Sequence, residues 1–184
     1  GEYEAFLHIM NNCSGVIREK VWMLFSETLS VREQQEICTL IYYPREVMNR
    51  KRNLNELSED WYRLMLNYLL ELAKMVSSKY TRSKVRRALP KEFGDIIDEL
   101  LHFMPDEDDN QIRYHRQILD TIIGIENSEE FIVALAELIK RLAVDHLHIV
   151  GDIFDRGGDA DKILDLLMEY HSLDIEWGLS LIHI

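Results

Sequence analysis

Glycine and proline are scarce, with 8 and 3 in 184 residues, and neither occurs between Pro44 and Pro90. Turns and hairpins usually need them, so that stretch is expected to be rich in helix. Cysteine is scarcer still. Cys13 and Cys38 make neither a disulfide scaffold nor a zinc site. No apolar run reaches the ~18 residues of a transmembrane helix. The acidic opening, Gly1-Glu2-Tyr3-Glu4, carries no signal-peptide pattern. The expectation is a reduced, cytoplasmic protein with no membrane partner. Positive charge is also short: 21 Lys and Arg stand against 33 Asp and Glu, a net charge of −12. A chain this acidic is poorly suited to a phosphate backbone, so no nucleic-acid partner is expected.

What is present is an apolar fraction of 47%, enough for a real core in one domain or a large piece of one. Ser30-Val31-Arg32-Glu33 is a capping-box pattern. From Trp61, the apolar positions Leu64, Met65, Tyr68, Leu72, Met75 and Val76 follow helical spacing. Residues 92–103, 110–123 and 129–142 read as further helices. The last is apolar on most sides and is expected to be buried. The pattern changes at Val144. His146 to Val150 reads as a short strand ending at Gly151, Asp159 to Tyr170 as a helix, and Leu173 to Trp177 as a second strand. Strand, helix, strand is a βαβ unit and implies a parallel sheet.

The residues that carry chemistry are Gly151-Asp152-Ile153-Phe154-Asp155-Arg156-Gly157. They follow the C-terminal end of a predicted parallel strand, the edge where open α/β folds bind ligands. A carboxylate oxygen is a hard ligand for manganese or magnesium. Arginine grips phosphate oxygens in a bidentate fork, and glycine lets the backbone turn tightly beside a metal. The same residues also read as a polar loop with an Asp–Arg surface pair.

The Gly-Asp-x-x-Asp-Arg-Gly pattern resembles the second metal motif of the calcineurin-like metallophosphoesterases. The wider stretch Val144–Gly157, together with His171–Gly178, resembles class 3 fructose-1,6-bisphosphatase, the type found in Firmicutes and related gut bacteria. Gly1-Glu2-Tyr3-Glu4-Ala5-Phe6-Leu7 resembles the continuation of that family's first motif, Asp-x-His-Gly-Glu-Tyr. A long helical insertion between the first two motifs is a feature of class 3, and here the chain between Gly1 and Gly151 fills that place. The implied fold class is α/β: a large helical insertion segment over 1–143, the βαβ part of a metallophosphoesterase core over 144–178, and an atypical tail over 179–184. The Asp-x-His pair of the first motif is not among these residues. The third motif, Gly-Asn-His-Asp, would begin at Gly178, where the chain reads Gly178-Leu179-Ser180-Leu181. His183 does not stand at that motif's histidine. The expectation is a fragment, with little phosphatase activity of its own.

By position, Asp152 resembles the carboxylate that bridges two metal ions. Asp155 resembles the residue that orients the third motif's histidine, and Arg156 the contact to substrate phosphate. The resemblance implies a phosphoric monoester hydrolase of gluconeogenesis. Its substrate would be fructose 1,6-bisphosphate, hydrolysed at the 1-phosphate to fructose 6-phosphate. It further implies a two-metal site for Mn2+, with Mg2+ as the alternative ion, and leaves a homo-oligomer open.

Other features have plainer readings. His146 and His148 share one face of the strand and read as satisfied sheet histidines, with a supporting role behind metal ligands as the alternative. Asp145 reads as a strand-start residue. Lys79, Arg82, Lys84, Arg86, Arg87 and Lys91 form the strong basic cluster, either a solvated helix face or a receptor for an anionic substrate or effector. Tyr42, Tyr43 and Trp61 read as core or interface aromatics. His8, His102 and His115 lack ligand spacing, and Cys13 has no nearby base. Two alternatives to the bisphosphatase are another calcineurin-like phosphatase and a non-catalytic helical interaction protein with a vestigial phosphatase loop.

Overall fold

The computed structural model describes residues 15–102, 109–124, 127–151, 160–168, 170 and 172–176. The chain divides into two compact units, Gly1–Ala143 and Val144–Ile184. The regular elements described in the first unit are all helices: α1 (Gly15–Phe25), α2 (Val31–Tyr42), α3 (Pro44–Asn53), α4 (Glu59–Ser77), α5 (Arg82–Ala88), α6 (Gly94–Leu101), α7 (Asp109–Gly124) and α8 (Ser128–Ala143).

Local sequence sets the helix ends. Ser30 and Glu33 form the expected capping box: the Glu33 N–H donates to Ser30 Oγ at 3.3 Å, and the Ser30 N–H donates to Glu33 Oε2 at 2.8 Å. Pro44 opens α3 at its first turn, where its missing N–H costs nothing. Ser58 caps α4 by accepting from the Trp61 N–H at 3.1 Å, so the helix begins at Glu59, ahead of the apolar stripe that announces it.

The stretch without glycine or proline still needs turns, and it makes them by other means. After α3, Asn55 takes φ 56°, the left-handed region in which asparagine substitutes for glycine. The Glu56 N–H donates to Lys51 O at 2.9 Å and the Asn55 N–H to Arg52 O at 3.0 Å. These are the two bonds of a Schellman cap. The helix expected over 92–103 is shorter, Gly94–Leu101. Residues 91–93 form a turn, and Phe93 precedes the helix with φ −117° and ψ 11°.

Helix α8 is the centre of this unit. It packs most extensively on α4 and also touches α1, α2, α3, α5 and α7. Phe131, Ile132, Leu135, Leu138, Ile139 and Leu142 are fully buried, which is why this helix reads as apolar on most sides. Phe131 meets Phe93 edge-on, with ring centroids 5.2 Å apart.

The second unit holds β1 (Leu147–Val150), α9 (Ala160–Met168) and β2 (Leu173–Glu176). The strands pair in parallel, with Leu147 opposite Leu173, His148 opposite Asp174, Ile149 opposite Ile175 and Val150 opposite Glu176. The order β1, α9, β2 with a parallel pair is the expected βαβ unit. β1 begins one residue later than expected, and Trp177 lies outside the described residues. Among the described residues, no helix is long and apolar enough to cross a membrane.

Candidate functional site

Side chains alternate along a strand, so β1 and β2 together present two faces. Leu147, Ile149, Leu173 and Ile175 share one. His146, just ahead of β1, and His148 share the other, with Ser172, Asp174 and Glu176 beside them. The parallel register is what brings these polar groups together. His146 Nε2 lies 2.8 Å from Asp174 Oδ2, and its Nδ1 lies 2.7 Å from Ser172 Oγ. His148 Nδ1 is 3.6 Å from the same Asp174 oxygen, and its Nε2 is 3.6 Å from Glu176 Oε1. The hydrogen bond from His146 is the main reason the Asp174 carboxyl is held below its ordinary pKa, with the charge of both imidazoles adding to it. His146 is thus the satisfied sheet histidine of the sequence reading, and His148 makes longer ion-pair contacts. One nitrogen of each, with an Asp174 oxygen, also forms a group whose ligand atoms lie within 4.8 Å of one another.

At the end of β1, Gly151 has φ 69°. A side chain is strained there, and glycine is not. The chain turns at this residue, and the Asp152–Arg156 motif follows it. Asp152, Asp155 and Arg156 themselves lie outside the described residues, as do His8, Cys13, His171 and His183. Asp145 is exposed and stands ahead of β1.

In the helical unit, the basic cluster is largely committed to neighbours. Asp98, on α6, is buried. Arg82 Nη2 donates to Asp98 Oδ2 at 2.9 Å, and Arg86 Nε is 3.8 Å from the same oxygen. Lys79 and Lys84 sit over the Tyr80 ring at 5.2 and 5.6 Å. Arg82, Arg86, Asp98, His102, Tyr114 and His115 line an open cleft of about 600 Å³. His102, which closes α6, and His115, on α7, therefore face the same space, though each directs Nδ1 to a backbone carbonyl of its own helix, Asp98 O at 2.6 Å and Gln111 O at 2.7 Å. The sequence signal for Asp98 was a carboxylate placed within the apolar run of α6, between Ile97 and Leu100. Trp61 and Tyr42 pack on the helical core, as expected of core aromatics. Cys38 is buried, and burial pushes its thiol up to about 11.

The chain matches the family described as Firmicute fructose-1,6-bisphosphatase over residues 1–182. It is 53% identical over 178 residues to a class 3 fructose-1,6-bisphosphatase of Clostridium beijerinckii, covering 97% of this chain and 27% of the relative. It is 50% identical to the class 3 enzyme of Clostridium acetobutylicum and 48% identical to that of Phocaeicola vulgatus, with the same coverage in both. The chain spans about a quarter of the length of these curated relatives. No solved structure matches it.

Proposed function

The chain belongs to the Firmicute fructose-1,6-bisphosphatase family, and from that membership we propose that it is part of an enzyme hydrolysing the 1-phosphate of fructose 1,6-bisphosphate. The product is fructose 6-phosphate, the step is gluconeogenic, and a sugar-phosphate substrate supports a cytoplasmic location for the whole protein. The observation that carries this reading is identity of 48–53% to class 3 fructose-1,6-bisphosphatases over 97% of the chain. The calcineurin-like metallophosphoesterase core remains part of the proposal, supported by the parallel βαβ order and by the turn at Gly151 that leads into Asp152.

The donor chemistry at that turn fits a manganese or magnesium ion. Asp152 offers a hard carboxylate oxygen directly after a glycine in the left-handed region. Two such ions, when bound, lower the pKa of water and offset charge developing on the transferred phosphate. Asp152 would hold them with its negative charge between two dications. Asp155 would act as a positioning residue, and Arg156 would orient the phosphate through two parallel hydrogen bonds.

The test is phosphate release from fructose 1,6-bisphosphate by the full-length gene product, with and without manganese, alongside Asp152→Asn. Manganese-dependent turnover, lost together with metal content in the variant, is expected. Wild-type rate and stoichiometry in Asp152→Asn would overturn the bridging role, and absence of turnover in the intact protein would overturn the function.

A further inference from the structure

We propose that His146, His148 and Asp174 form a site for a divalent ion of the zinc class, chemically separate from the Asp152 position. The proposal stands on the strand pair alone and does not need the phosphatase reading.

Three features of the geometry carry it. The first is convergence. His146 Nε2 and His148 Nδ1 both approach one oxygen, Asp174 Oδ2, at 2.8 and 3.6 Å. In a tetrahedral site with metal–ligand distances near 2.0–2.1 Å, neighbouring ligand atoms stand about 3.3 Å apart. The two distances to Asp174 bracket that value and all three ligand atoms lie within 4.8 Å of one another, so side-chain rotation would draw them around one ion. Two histidines two apart on a strand, with a third ligand from the neighbouring strand, give three ligands on one side of the ion and leave the solvent side open.

The second feature is support behind the ligands. A metal-binding imidazole usually donates its other N–H to an oxygen, which fixes the tautomer and the ring orientation. His146 has such an oxygen within hydrogen-bond distance, and His148 has one slightly beyond it. His146 Nδ1 faces Ser172 Oγ at 2.7 Å, and His148 Nε2 faces Glu176 Oε1 at 3.6 Å. A bound ion would replace the proton that His146 Nε2 donates to Asp174, with the remaining ring proton on Nδ1 toward Ser172 Oγ.

The third feature is charge and access. Asp174 and Glu176 contribute two negative charges, neither strand contains lysine or arginine, and the three ligand side chains are 43–61% exposed. Imidazole nitrogens select zinc, cobalt or nickel over magnesium, which prefers an all-oxygen shell. That preference separates this site from the carboxylate site expected at Asp152.

The experiment uses the 184-residue chain carrying Asp152→Asn, stripped with chelator and titrated with Co2+ and Zn2+, with millimolar Mg2+ as competitor. The expected result is one equivalent bound, with ligand-field absorption from Co2+ that Mg2+ does not displace. His146→Ala, His148→Ala and Asp174→Asn should each weaken binding by more than about tenfold, and Ser172→Ala by about tenfold, with unchanged circular dichroism. X-ray absorption of the zinc-loaded chain provides a readout that no variant can confuse, with two imidazoles and a carboxylate oxygen expected around the ion. Absence of binding, binding that persists in the three ligand variants, or fewer than two imidazoles around zinc would each leave only a hydrogen-bonded network and overturn the proposal.

Discussion

Tyr62, on α4, donates its hydroxyl to Glu129 Oε1 at 2.8 Å, in the first turn of α8. Arg52 of α3 reaches the same carboxylate. Beside it, Arg45 makes a two-pronged contact to Glu130, at 2.8 and 2.9 Å. Acidic residues suit the positive end of a helix, and here they also tie the central helix to α3 and α4.

This clamp should give stability a pH dependence at both extremes. Burial raises the Glu129 carboxyl, but the hydrogen bonds from Arg52 and Tyr62 outweigh it and leave the group below its usual 4.5. Because the folded pKa is depressed, its contribution is present above that value and lost as pH falls through the folded pKa. Burial and the bond to Glu129 push Tyr62 up to about 12. A raised tyrosine contributes fully below its usual 10 and loses that contribution as pH rises toward 12. Tyr62→Phe should cost about 1 kcal/mol at neutral pH and flatten both slopes in Tm measured against pH. Unchanged slopes would mean that the pair is not coupled to folding.

The turn after α3 makes a sharper test of backbone conformation. Asn55 sits at φ 56°, so Asn55→Ala should lower stability by about 1 kcal/mol in a urea titration. Asn55→Gly should match or exceed the parent. Equal stability of the alanine and glycine variants would show that the left-handed conformation is not what the position selects.

Phe131 lies on the buried face of α8, against Phe93. Phe131→Ala should cost about 3–5 kcal/mol. That is a large share of the ~5–15 kcal/mol available to a domain, so the helical unit should unfold at markedly lower denaturant. A loss under about 1 kcal/mol would mean that α8 is not the centre of packing.

The Cys38 thiol, raised to about 11 by burial, is protonated at neutral and mildly alkaline pH. In a Cys13→Ser background it should react with a thiol reagent only as fast as the protein opens. Labelling of the native protein at the rate of a free thiol would contradict the buried placement.

In the intact enzyme, Arg156→Lys should cost more than its retained charge suggests, because lysine lacks the planar fork. A hydrogen bond to a charged group is worth roughly 1.5–3 kcal/mol. Losing one in the transition state slows kcat/KM by about ten- to a hundredfold. Bound manganese per subunit should not change, since a cation is no ligand. An unchanged rate, or a large fall in metal content, would remove the phosphate contact from the proposal.

What the sequence determined alone was whatever a single turn or a single strand can decide. The Ser30–Glu33 capping box closes within three residues, so its pattern is sufficient. The burial of α8 follows from an apolar surface on most sides of one helix. The alternation around His146 and His148 puts both on one face of β1 whatever they pack against. Tertiary structure decided which distant groups meet. Asp174 lies opposite His148 because the parallel register sets it there, and a shift of one residue would have turned Asp174 to the other face. His102 and His115 looked scattered because they stand on different helices, and only the packing of those helices gives them a common cleft. The basic cluster did not announce its partner either. Asp98 takes Arg82 and approaches Arg86 because α5 and α6 bring a buried carboxylate beneath them. A local pattern fixes a residue's face through backbone geometry alone, whereas the partner on that face is chosen by the register and packing of elements that the chain brings back from elsewhere.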